Sequence, residues 1–121
     1  MEVLNKIFDQ FVSNMIDESS QLNQIKNEAL QKINDEELDI KSQIAGEKEK
    51  VNAILKEYAS AYKEIAQKTL LSILVGEHSG VGENAIKERY DALLKKVDMM
   101  TTIAIKAIGR DLKTYKLTGT P

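Results

Sequence analysis

Residues 86–107, IKERYDALLKKVDMMTTIAIKA, place Ile86, Tyr90, Leu93, Val97, Met100, Ala104 and Ala107 at alternating steps of four and three. That spacing is the a/d seam of a helix that lies against other helices. Leu94, Ile103, Ile105 and Ile108 widen it toward the stripe of a bundled helix, broader than a two-stranded zipper needs. Every other long segment carries a stripe of similar period, so each can supply a face for this one.

The second such segment lies upstream. Val51, Leu55, Tyr58, Tyr62, Ile65 and Thr69 repeat the same steps, with Ala59, Ala61 and Ala66 as small neighbours that allow close helix approach. From Leu70 to Val75 the chain is apolar nearly all round, which predicts a fully buried helix end. Residues 3–16 place apolar pairs at Val3/Leu4, Ile7/Phe8, Phe11/Val12 and Met15/Ile16. Steps of four drift about 40° per repeat around a helix, and the pairing keeps contact despite that drift. A face this wide predicts two partners. The stripe thins through Leu22, Ile25, Ala29, Ile33, Ile40 and Ile44, and Glu18 stands where the count asks for a core residue.

The expected helices are therefore residues 2–45 with an irregularity, 47–75, and 83 or 84 to 110 or 115. Asp17-Glu18-Ser19-Ser20 is a candidate kink. Asn34 to Glu37 has capping-box spacing, which allows a break near 34 and a four-helix count. Gly46 is the expected stop of the first helix, with a helix running through it as the alternative. Gly76 to Gly82 holds three glycines in seven residues and reads as a loop. The expectation is an all-α fold: an elongated antiparallel bundle of three long helices or four, one domain over 1–115, and a polar tail over 116–121.

Composition agrees and narrows the function. At 121 residues, 42% hydrophobic and 30% charged, the chain fits one domain with a core of Ile, Leu, Val and Ala. It has no Cys, which excludes disulfides, thiolate zinc sites and a Cys nucleophile. Its one proline is Pro121. The start has no signal-peptide pattern, and the uncharged runs Thr69–Gly76 and Met99–Ile105 fall far short of the ~20 residues of a spanning helix. A cytoplasmic or virion-internal location is expected, without membrane insertion.

The charge is divided. Residues 1–86 carry nine Lys against 15 carboxylates, a balance of −6, and residues 87–121 carry eight cations against four acids, +4. A nucleic-acid face built on Lys106, Arg110 and Lys113 would explain the basic end. Packing of a basic helix beside acidic ones, or acidic surfaces meeting basic ones between subunits, explains it better, because only two of the eight cations are Arg. The polar side of residues 2–14 holds one cation, Lys6, which disfavours a membrane-surface helix.

Motifs for chemistry are weak. Gly80-Val-Gly82-Glu-Asn-Ala85 fits GxGxxA, but no further strand completes a dinucleotide fold, so a helix-to-helix turn explains it and no cofactor is expected. His78, the one histidine, lacks a second strong ligand in sequence, so no metal is expected. Met99-Met100 reads first as core filling, or as an adaptable docking surface. The functional expectation is a non-enzymatic structural or assembly protein that associates with itself. The interface residues would be Leu4, Phe8, Phe11, Met15, Met99 and Met100. An adaptor or chaperone holding a partner's amphipathic helix between Phe8/Phe11 and Met99/Met100 is the first alternative, and a nucleic-acid-binding protein the second.

Overall fold

The structure, a computed structural model, describes residues 2–77 and 82–119, with side chains over 2–76 and 82–110. Four helices follow in order: α1 Glu2–Asp17, α2 Ser19–Asp35, α3 Ala45–Glu77 and α4 Glu83–Gly119. Among the described residues there is no strand, and the fold is an all-α bundle. Six of the seven residues of the 86–107 seam pack as its spacing predicts, with Leu93 and Val97 buried and Ile86, Tyr90, Met100 and Ala104 against the core, and Ile108 just beyond it is buried as well. α3 touches all three other helices and α4 most extensively. Its core residues Val51, Ile54, Tyr58, Tyr62, Ala66, Leu70 and Leu74 advance mostly by four. The buried face therefore rotates along the helix, which lets α3 meet different partners at different heights.

Residues 2–45 do not form one long helix: the chain bends inside the candidate kink Asp17–Ser20 and the helix ends at Asp35, close to the expected break near 34, so the four-helix alternative holds. The chain bends at Glu18, where the backbone leaves helical geometry (φ −88, ψ 11). Hydrogen bonding carries nearly unbroken through the bend: Glu18 N–H donates to the carbonyls of Asn14 and Met15, and Leu22 N–H donates to that of Glu18. The physical reason is the apolar count itself. Met15 is buried and Leu22 half-buried, and bending between them keeps a carboxylate out of the core position that a straight helix would assign to it. The end of α1 then sits beside Lys68, Thr69 and Ser72 of α3, while Phe8 lies under Lys96 of α4. α1 thus spans the seam between α3 and α4.

Asn34 to Glu37 ends a helix where the capping-box reading has one begin. Leu38 N–H donates to Ile33 O and Glu37 N–H to Asn34 O, both at 3.0 Å. Those two bonds, with Leu38 buried beside Ile33, make a Schellman closure. Glu37 occupies its left-handed position, at φ 52. Gly46 is accordingly not a stop, and lies in the first turn of α3. Residues 36–44 connect the two helices. Glu47 fastens this connector, accepting from Asp39 N–H at 2.6 Å and from Ser42 Oγ at 3.1 Å. Ile40 reaches across it to α4, where a Cβ on Gly109 would lie 3.8 Å from Ile40 Cδ1. α2 and α4 both run antiparallel to α3, as the ion pairs Lys32–Glu57 and Lys63–Asp98 register.

Two further expectations change. Leu71 and Val75 are exposed, so the 70–75 end is covered on one side only. α4 continues to Gly119, beyond the expected end at Arg110 or Tyr115. His78 and Gly80 lie outside the described residues, as does the side chain of Lys113, so the loop and GxGxxA readings rest on sequence.

Candidate functional site

The six residues expected at an interface divide between the inside and the outside of the bundle. Phe11 and Met15 are buried with Ile7 on the inward face of α1. Burial of a side chain such as Phe11 contributes about 1.5–3 kcal/mol to the fold. Leu4 and Phe8 are half-buried against the same core. The Phe8 ring stacks at 6.0 Å from that of Phe11 and is roofed by Lys96 Nζ, 4.3 Å from its centroid. The two methionines point apart: Met100 packs on the core, whereas Met99 is 64% exposed. The wide face of α1 therefore finds most of its partners within the chain, on α3 and α4. Lys106 and Arg110 are exposed.

Shallow depressions between α2 and α3 are lined by Glu18, Gln21, Glu64, Lys68 and Thr69 at one height and by Glu28, Lys32 and Glu57 at another. Another depression is lined by Ser20, Asn23, Gln24, Asn27 and Gln31, the outer surface of α2 alone. Among the described residues no group of three His, Asp or Glu could hold a metal ion, and every buried side-chain polar atom has a hydrogen-bond partner. Thr101, the buried polar residue of α4, donates its hydroxyl to Val97 O at 2.9 Å. The hydrogen bond from Lys32 to Glu57 at 3.0 Å, with the attraction between them, raises the lysine pKa. Burial raises that of Tyr62, because the phenolate would lose its water. These are the electrostatics of a helix surface and a packed core.

The outer face of α4 is different. Ala92, Lys96, Met99, Ile103, Lys106 and Arg110 step 4-3-4-3-4 and are all exposed. This row is a second seam on the side away from the core, with Met99 and Ile103, at 64% and 56% exposure, adjacent at its centre. The sequence reading missed Lys96 and Ile103, assigning Ile103 to the inner seam. The signal was available in the same spacing, read from Ala92 in place of Ile86.

No protein-family model, curated protein or solved structure matches this chain. Its function is therefore argued from the surfaces of the bundle.

Proposed function

We propose that the protein is a non-enzymatic structural or assembly component that acts through helix–helix contacts and associates with itself. The observation that supports this is the outer seam of α4. Single exposed apolar residues are ordinary on any surface. A pair of large ones one turn apart, inside a row with coiled-coil spacing, is the pattern of a helix prepared for another helix. Met99 adds an unbranched, adaptable side chain to that contact.

The test is solution mass against concentration, by light scattering and sedimentation. The wild-type chain is expected to exceed monomer mass with rising concentration. Met99→Glu with Ile103→Glu should return it to monomer with the helical signal intact, since exposed substitutions change stability by only about 0.5 kcal/mol. A strict monomer at high micromolar concentration refutes the reading. The cations flanking Met99 and Ile103 give a second reading some support, an adaptor for an acidic amphipathic helix of another protein. A protein of that kind would remain monomeric alone.

A further inference from the structure

We infer that the self-association proposed above is two-fold, with the outer face of α1 in each copy lying on the outer seam of α4 in the other. The inference rests on that proposal and specifies its surface.

The charges choose the pairing. Around Met99 and Ile103 the α4 seam carries Lys96, Lys106 and Arg110 and no acid. Asp98, the nearest carboxylate on the helix, is held by Lys63 at 2.7 Å. Two α4 seams laid face to face would oppose cation to cation, which costs affinity. The seam therefore calls for an acidic helix with an apolar residue of its own. α1 has such a face. Glu2, Asp9 and Ile16 recur every seven residues, so they fall on one line of the helix, and all three are exposed, Ile16 by 66%. Lys6, one turn from both Glu2 and Asp9, is the one cation beside that line and leaves it net acidic. The inward residues Ile7, Phe11 and Met15 are committed to the chain's own core, which leaves this outer line free to meet a partner.

The geometry suits reciprocal docking. Both helices belong to one side of the bundle, joined where Lys96 covers Phe8. A two-fold contact needs a patch in which residue i meets j while j meets i. A surface net acidic along α1 and basic along α4 meets that condition when rotated onto itself. The spacing also matches: seven residues advance about 10.5 Å on either helix. In an antiparallel register, Ile16 meets Met99 and Ile103, and Asp9 then falls opposite Lys106.

The experiment is a charge exchange in the full chain, read as the dimer dissociation constant by sedimentation. Asp9→Lys alone and Lys106→Glu alone should each weaken the dimer roughly tenfold, by turning two reciprocal attractions into repulsions. The double variant, which carries both reversals in every copy, should return to within about threefold of wild type, because the attraction is restored with its sign exchanged. All four sites in the dimer are exposed helix positions, so melting temperature should barely change and serves as the folding control. If the wild type dimerises but the double variant is no tighter than the singles, self-association stands and this interface is wrong. If the wild type stays monomeric at high micromolar concentration, both fail. A monomer that cosediments with phosphatidylserine vesicles through Lys96 and Lys106 would place a lipid surface on the seam and overturn the inference.

Discussion

Glu37 is the residue where local preference and fold disagree most. Its φ of 52 is a conformation that glycine adopts freely and that costs an L-residue about 1 kcal/mol. The Schellman bonds from Glu37 and Leu38 and the burial of Leu38 hold it there. Glu37→Gly should therefore raise the unfolding free energy, by up to roughly 0.6 kcal/mol, the strain relieved less the added freedom of the unfolded chain. Denaturant unfolding measures this, and a loss of stability would show that the carboxylate contributes something beyond the backbone turn. The same residue explains a misreading. A left-handed stop is normally announced by Gly or Asn; with Glu in that place, the nearest legible punctuation was Asn34 as a cap and Gly46 as an end, and neither serves so.

At the scale of the elements, apolar periodicity revealed which residues turn inward far better than where the chain turns. Phe11, Met15, Leu93 and Val97 were legible because their spacing is the geometry of the contact. The bend at Glu18 was legible too, as a carboxylate at a position the apolar count reserves for the core, within the candidate kink Asp17–Ser20. The 36–44 connector was not, because it is made by short-range hydrogen bonds among ordinary polar residues. Glu47 is the clearest case: it sits in the first turn of α3 and closes the connector through Asp39 N–H and Ser42 Oγ. Removing it in Glu47→Ala should cost about 1 kcal/mol, the net worth of hydrogen bonds at a partly exposed site. Hydrogen exchange should show the Asp39 amide losing protection while those of α1 and the middle of α4 keep theirs. Unchanged exchange at Asp39 would mean that the connector is fixed by Leu38 and Ile40 packing alone. The outer seam of α4 escaped notice for a different reason: two rows of one helix share a period, and the richer inner row masks the other.

For the molecule as a whole, the question left by the charge division is what meets the basic end. α4 presents Lys96, Lys106 and Arg110 on an exposed face, and phosphate neutralisation by such a row would give binding that falls steeply with salt. The arrangement argues against a nucleic acid as the intended partner. Met99 and Ile103 occupy the centre of the row, where a phosphate backbone would need cations, and they gain nothing from contact with it. The proposed reciprocal contact would also give the positive row a net acidic counterpart, on α1 of a second copy. Binding to duplex or single-stranded oligonucleotides at physiological salt should accordingly be no tighter than about 1 μM, the nonspecific range. Fluorescence anisotropy measures it directly. Submicromolar affinity that disappears when Lys106, Arg110 and Lys113 are changed to Ala would reverse this conclusion, because a helical partner has no reason to leave so strong an attraction for phosphate. Weak binding that those three changes do not alter would instead leave the cations to the protein contact, where Met99 and Ile103 also have a use.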